Sequence, residues 1–358
     1  MTPYYILVAL PFLMSVVQFE SQAREMIQKK KNYPILIFFG IYFLLLALRH
    51  VSIGADTLAY ETVFSNISNT AWKDLLNYKS SEIGYTLLNK LVSSLGGDYQ
   101  VFLMVASAFI AFPLAKLYYD FSENSMVSIA LFLVLPVFIM NFSGLRQALA
   151  VSMGVLAFYA MKNRRLIGFL LCVFVAFSFH QSGIVLLLLY PLYRIRLRFV
   201  HMLALLPGYV FAFFFRERIF LNLLPIMGEK YAERYSEVTD TGATTMLILF
   251  SIFLIYSFIV PNEENVDEVT NGCRNMLALA VFIQMFSTIS VITMRMNYYF
   301  LIFLPVLIPR ITNRWKSADQ FIRNAVNIVM IVFFLLYYFI KAYSVDSMNI
   351  YPYIPFWN

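Results

Sequence analysis

Charge is scarce in this chain. Only 13% of its 358 residues are Asp, Glu, Lys or Arg, against 61% hydrophobic, whereas soluble domains carry about a quarter charged residues. That shortage excludes an ordinary water-soluble domain and places the chain in lipid. Histidine and cysteine are scarcer still, at three and two residues. Cys172 falls in an apolar run and Cys273 in what reads as a polar loop, which excludes a disulfide framework and a Cys/His metal centre. Neither repeats nor low-complexity tracts are present. The first apolar run has no basic leader and ends in "QFESQAREMIQKKKN", so it reads as a retained span and not a signal peptide. The net charge of +7 comes from short basic loops and carries no nucleic-acid signal.

What is present is a succession of apolar runs, at 4–18, 33–48, 99–119, 126–141, 147–161, 166–179, 183–193, 200–215, 245–260, 275–293, 297–311 and 325–340. They predict an all-α integral membrane protein of about 12 transmembrane helices, forming one polytopic domain over residues 1–358. The short loops "MKNRR", "YRIRLR" and "PRITNRWK" fall on one side when the spans alternate, which makes that side cytoplasmic and both termini external. Two long external segments remain, 49–98 and 216–244. The first predicts short interfacial helices: "EIGYTLLNKLVSSLG" carries Ile83, Leu87, Leu88, Leu91 and Leu95 as a helical stripe. The second predicts a folded lid or interfacial helix. Both read as active-site cover. The acidic loop "NEENVDEVTNG" is expected to be a solvated connector.

Polar residues gather on the external side. Arg49, His50, Asp56 and Tyr60 follow the second span, and Glu82, Tyr85 and Asn89 precede the third. Arg146 and Gln147 open the fifth, His180 closes the sixth, and Arg295, Tyr298 and Tyr299 open the eleventh. A charge near bilayer depth costs a few kcal/mol and is rarely idle. Arginines with interleaved tyrosines suit a multivalent anion joined to sugar rings, because guanidinium forks match phosphate oxygens. Arg146 also stands at a helix start, where free N–H groups add to anion binding. Asp56 and Glu82 are candidates for a general base, and His180 for an acid or base. A bland reading stands beside each: Arg146 and Arg295 snorkelling to headgroups, Asp56 as a turn or helix N-cap residue and Glu82 as a helix cap, His180 satisfied at a helix end, and Tyr298–Tyr299 in an interfacial aromatic belt.

The segments "LRHVSIGADTLAYETVF", "EIGYTLLNKLVSSLG", "NFSGLRQALAVSMGVLAFYAM", "FSFHQSGIVLLLLY", "RMNYYFLIFLPVLI" and "YPYIPFW" together resemble the EpsG-like branch of Wzy-type polysaccharide polymerases. The resemblance runs over almost the whole chain in the same order. It implies a GT-C-like glycosyltransferase architecture in the bacterial inner membrane. It also implies an enzyme that joins undecaprenyl-diphosphate-linked oligosaccharide repeat units, with inversion, into O-antigen, capsule or exopolysaccharide at the outer face. No metal or cofactor is expected. A chain-length regulator and a flippase of the same pathway are the implied partners. Carried onto this chain, the resemblance makes Arg146, Arg295 and Arg49 diphosphate ligands. Gln147, Tyr60, Tyr85, Tyr298 and Tyr299 become phosphate- or sugar-orienting groups. A ligase using the same donor and a lipid-linked glycan transporter are the rival readings. The one-sided polar cluster and the dry middles of "SMVSIALFLVLPVFIM" and "NIVMIVFFLLYYFI" weigh against the transporter.

Overall fold

A computed structural model describes residues 2–24, 32–78, 81–223, 243–260, 266–315, 317–344 and 348–358. Among these residues the regular structure is helical, apart from one antiparallel bridge between Arg49 and Pro355. The chain divides into two compact units, one of residues 1–187 and 324–358, the other of residues 188–323.

In the first unit the helices are α1 (Thr2–Arg24), α2 (Tyr33–Ala47), α3 (Thr57–Asn69), α4 (Ile83–Ser94), α5 (Tyr99–Phe121), α6 (Ser125–Val134), α7 (Pro136–Ser143), α8 (Leu145–Lys162) and α9 (Leu166–Phe179). Their ends follow from local chemistry. Asp98 caps α5 by accepting from the Val101 N–H, and Asn124 caps α6 by accepting from Val127. Pro136 cannot continue α6, so the expected single span at 126–141 is two helices bent by 62°. Helix α8 lies at the centre, with Ala148, Ala150, Ser152, Gly154 and Ala157 all buried. Such small side chains let neighbouring backbones approach closely, and α8 packs against both α5 and α9.

The second unit holds α10 (Leu189–Arg194), α11 (Phe199–Leu223), α12 (Thr244–Ile259), α13 (Glu268–Ser287), α14 (Val291–Leu301) and α15 (Leu304–Asn313). The expected span at 183–193 is instead a 3₁₀ stretch, Gln181–Leu188, followed by six-residue α10. The expected span at 275–293 begins earlier, at Glu268, so Cys273 and Arg274 are buried helix residues and not loop residues. Helices α14 and α15 bend by 48° where they meet. The last helix, α16 (Gln320–Ser344), runs on into the first unit.

Among the described residues, three helices are each long and apolar enough to cross a membrane, at Tyr99–Phe121, Phe199–Leu223 and Gln320–Lys341; the two bent pairs qualify as two further spans. Other apolar helices are shorter. Helix α2, with 15 residues, reaches about 22 Å of a roughly 30 Å hydrocarbon layer. Large apolar side chains stand outward in number, among them Phe214, Phe321, Val329 and Ile340. Soluble monomers do not display such surfaces, and with the composition they make this a membrane protein.

The 49–98 segment forms the short helices expected of it. The apolar stripe of α4 points outward: Ile83, Leu87, Leu91 and Leu95 are exposed, while Tyr85, Thr86, Asn89 and Lys90 are buried. A helix whose apolar face meets lipid turns its polar face to the protein, the reverse of a soluble amphipathic helix. Of the second cover segment, residues 216–223 complete α11, and most of the remainder lies outside the described residues.

Candidate functional site

The loop after α2 is fastened to the junction of α7 and α8. Gly54 has φ +97°, and a Cβ there would lie 2.2 Å from the Phe142 carbonyl oxygen, so glycine is required. The Gly54 N–H donates to the Asn349 carbonyl at 3.0 Å. The Thr57 hydroxyl donates to Ile53 at 2.7 Å, and the Asp56 N–H donates to the Ser143 hydroxyl at 3.1 Å. The start of α3 is thereby fixed beside the start of α8, three residues before Arg146.

Arg146 has no acid near it in sequence but one close in space. Its Nη1 lies 2.6 Å from Oε2 of Glu82. The guanidinium also sits over the Tyr60 ring, 5.7 Å from its centroid, and Tyr60 packs on Tyr85 at 5.5 Å. The side chains of Arg146 and Glu82 keep 33% and 18% of their accessible surface, so the pair borders solvent. Arg146 Nε and the Tyr85 hydroxyl are buried without a hydrogen-bond partner. Burial raises the Tyr60 phenol pKa; Arg146 opposes this, while Asp56 and Glu82 add to it. Tyr60 thus senses all three charges. Both capping readings are corrected. Glu82 and Asp56 occupy the N-cap positions of α4 and α3, yet neither side chain makes a cap hydrogen bond. Asp56 is exposed and Glu82 reaches Arg146. Arg146 is likewise held by an ion pair and is not simply snorkelling. Gln147, next along α8, is buried.

Helix α9 closes this end of the unit. A Cβ on Gly84 would meet the Ser178 hydroxyl at 2.3 Å and the Ser178 carbonyl at 2.8 Å, so α4 begins directly against the end of α9. His180 terminates α9, its N–H donating to Ala176 at 2.9 Å. Its Nδ1 lies 2.7 Å from the Ser182 hydroxyl and accepts from the Ser182 N–H at 3.2 Å. The ring is therefore oriented from its own turn, as the helix-end reading expects. Asp56, Tyr60, Glu82, Tyr85, Arg146 and His180 all belong to this one end of the first unit.

Arg49, expected as a diphosphate ligand, is not open to solvent. It is fully buried. The chain's final segment covers it: the His50 N–H donates to Ile354 at 2.8 Å, the Phe356 N–H to Leu48 at 2.9 Å, and the Tyr353 hydroxyl to Leu45 at 3.2 Å. Its Nη1 donates to the Leu46 carbonyl, its guanidinium lies 5.9 Å from the Phe142 ring, and Nε and Nη2 have no partner. Burial pulls its pKa below the ordinary arginine value, against the nearby tyrosines Tyr99, Tyr353, Tyr42 and Tyr4. No carboxylate among the described residues pairs with it.

In the second unit, Arg295 is exposed in the middle of α14 and does not open a helix. Tyr298 and Tyr299 are buried, so they do not form a surface aromatic belt. Neighbouring Asn297 donates to the Ala280 carbonyl at 3.0 Å and to Gln284 Oε1 at 2.8 Å. The acidic connector is also more than a solvated loop. Asp267 caps α13 through the Thr270 N–H at 2.8 Å and pairs with Arg310 at 2.5 Å and Arg314 at 2.9 Å.

Sequence reasoning missed Ser143, Asn349 and Gly84, whose roles are contacts with residues far away in the chain. The turn at "GADT" was legible in the sequence, and residues 51–56 form it. Among the described residues, no group of three or more His, Cys, Asp or Glu side chains is arranged to hold a metal ion. No curated protein and no solved structure matches the chain. The family model described as the EpsG family matches residues 32–354, nearly the whole length. With that match, and with the quoted segments spread across the same span, the chain belongs to the EpsG family.

Proposed function

We propose that this protein is a glycosyltransferase-like polysaccharide polymerase that joins oligosaccharide repeat units carried on undecaprenyl diphosphate, at the external face of the inner membrane. Family membership supports the polymerase class. The observation that carries the site is the Arg146–Glu82 pair over Tyr60 at the start of α8. It gathers a solvent-bordering guanidinium, a helix N-terminus, an aromatic face and carboxylates at one place.

In this reading the donor diphosphate lies against Arg146 and the first-turn N–H groups of α8, which have no intrahelical acceptor. A hydroxyl at the non-reducing end of the incoming unit attacks the anomeric carbon of the growing chain. The hydroxyl proton passes to a carboxylate of the Asp56/Glu82 pair as the new C–O bond forms. The bond from the anomeric carbon to the diphosphate oxygen breaks, and the lipid diphosphate leaves with the electron pair. Arg146 stabilises the growing charge. Attack opposite the leaving group gives inversion. Tyr60 offers a face to sugar or guanidinium, and His180 a hydrogen bond to the diphosphate. Arg49, Arg295, Tyr298 and Tyr299 rest on the resemblance alone.

The test is polymerisation by purified protein in nanodiscs, supplied with the organism's own undecaprenyl-diphosphate repeat unit. A glycan ladder from the wild type, lost in folded Arg146→Ala, is the expected result. Transfer to another acceptor without a ladder favours the ligase. Passage of intact lipid-linked sugar across the bilayer with no new glycosidic bond favours the transporter.

A further inference from the structure

The Arg146–Glu82 contact has the form of a bond made to be exchanged. It is monodentate, one guanidinium nitrogen to one carboxylate oxygen at 2.6 Å. Arg146 Nε is buried with no acceptor, so the guanidinium has unused donor capacity. Among the described residues the Glu82 side chain makes no other hydrogen bond or ion pair: it sits at the N-cap position of α4 with an extended backbone, φ −65° and ψ 146°, and makes no cap hydrogen bond. Withdrawing it from Arg146 therefore breaks no cap. Both side chains retain some surface, 33% and 18%, and an ion pair that borders solvent is weaker than a fully buried one. A phosphate or diphosphate can engage a guanidinium with two parallel hydrogen bonds and more charge than a carboxylate, which makes it the stronger ligand.

We propose that Glu82 is an internal stand-in for the substrate's phosphate, holding Arg146 in place until a diphosphate displaces it, and that the displaced carboxylate then accepts the acceptor hydroxyl's proton. The inference rests on the reading of Arg146 as diphosphate ligand and deepens it. While paired, Glu82 is held against the guanidinium through Oε2 and is not free to turn toward an acceptor hydroxyl. Once the diphosphate occupies Arg146, repulsion between like charges drives the carboxylate away and its oxygen becomes available. The base is thus released only when donor is bound, which protects the lipid-linked sugar from premature attack by water. Exchange of one anion for another at a fixed cation is a population shift driven by differential affinity.

The experiment is binding of farnesyl diphosphate, a short-chain polyprenyl diphosphate, to the full-length protein in nanodiscs, with thermal unfolding measured on every variant. Glu82→Gln removes the internal competitor and is expected to bind roughly three- to tenfold tighter than wild type while losing polymerisation. Glu82→Asp, one methylene shorter, is expected to tighten binding to a lesser degree. Asp56→Asn removes a negative charge from the same neighbourhood without touching Arg146 and is expected to stay within about twofold of wild type. Unchanged or weaker binding in folded Glu82→Gln and Glu82→Asp overturns the exchange, and so does equal tightening in Asp56→Asn, which would mark a general field effect. Arg146→Gln separates the two levels. If it binds as well as wild type, the reading of Arg146 as diphosphate ligand fails. If it loses binding while the Glu82 variants gain none, only the exchange fails.

Discussion

Nη1 of Arg146 and Oε2 of Glu82 meet at 2.6 Å although 64 positions separate the two residues. Helix α8 supplies the cation from its first turn and α4 supplies the acid from its N-cap position. The Arg146→Ala, Glu82→Ala double-mutant cycle should give a favourable coupling of about 1 kcal/mol in detergent unfolding, as for a partly exposed pair. Additive losses would mean that the contact contributes nothing in the solubilised protein.

Gly84 sets how closely α4 approaches α9. Gly84→Ala places a Cβ within 2.3 Å of the Ser178 hydroxyl and 2.8 Å of its carbonyl oxygen. The expected loss is about 1–3 kcal/mol, as for other overpacked contacts. Ser178→Ala should not rescue it fully, because the backbone carbonyl remains. Unfolding curves of the single and double variants check this.

Arg49 gives the opposite sign. Its guanidinium is fully buried, and two of its nitrogens have no partner among the described residues; burying a charge without a compensating partner costs stability, so an apolar side chain of similar volume removes that cost. Arg49→Met should unfold at the same temperature as wild type or higher. Loss of polymerisation in that stable variant would separate a role in substrate binding from a role in folding. A large drop in unfolding temperature would show that Arg49 is held for structure.

Asp267 makes stability depend on acid. Burial would raise its pKa, but hydrogen bonds from Thr270 and the charges of Arg310 and Arg314 outweigh this and bring it down to about 2. A carboxylate held below its unfolded value of about 4 stabilises the fold fully above that value and loses its contribution as pH falls through about 2. Wild type should therefore lose unfolding temperature between about pH 4 and pH 2 more steeply than Asp267→Asn. At pH 7 the variant should be the less stable, by about 1 kcal/mol, because Asn caps a helix about as well as Asp but lacks the charge that pairs with Arg310 and Arg314. Its carboxylate is nearly half exposed, which keeps the effect modest.

Much of the fold was legible because lipid imposes a simple code: apolar runs became helices, and the 49–98 segment became short ones. Where the code broke, the reason was local. Pro136 split a run that hydropathy could not distinguish from a continuous span. Asp267 moved a helix start seven residues earlier than the apolar pattern suggested, because a cap outweighs the polarity of the turn that follows it. The stripe of α4 was found by its spacing, and its outward exposure is that of an interfacial helix, with Tyr85, Thr86, Asn89 and Lys90 buried against the protein.

The sequence by itself determined an all-helical membrane chain, its family, and the short set of polar residues worth watching, because each of these follows from composition or from ordered local motifs. Only tertiary structure decided which of those residues meet. Arg146 found an acid in Glu82, while Arg49 has none among the described residues and is buried beneath residues 353–356. Pairing of charges distant in sequence depends on how helices are fastened to one another, here by Gly54 against Phe142 and Gly84 against Ser178. Close contacts of that kind leave no period or motif in the chain.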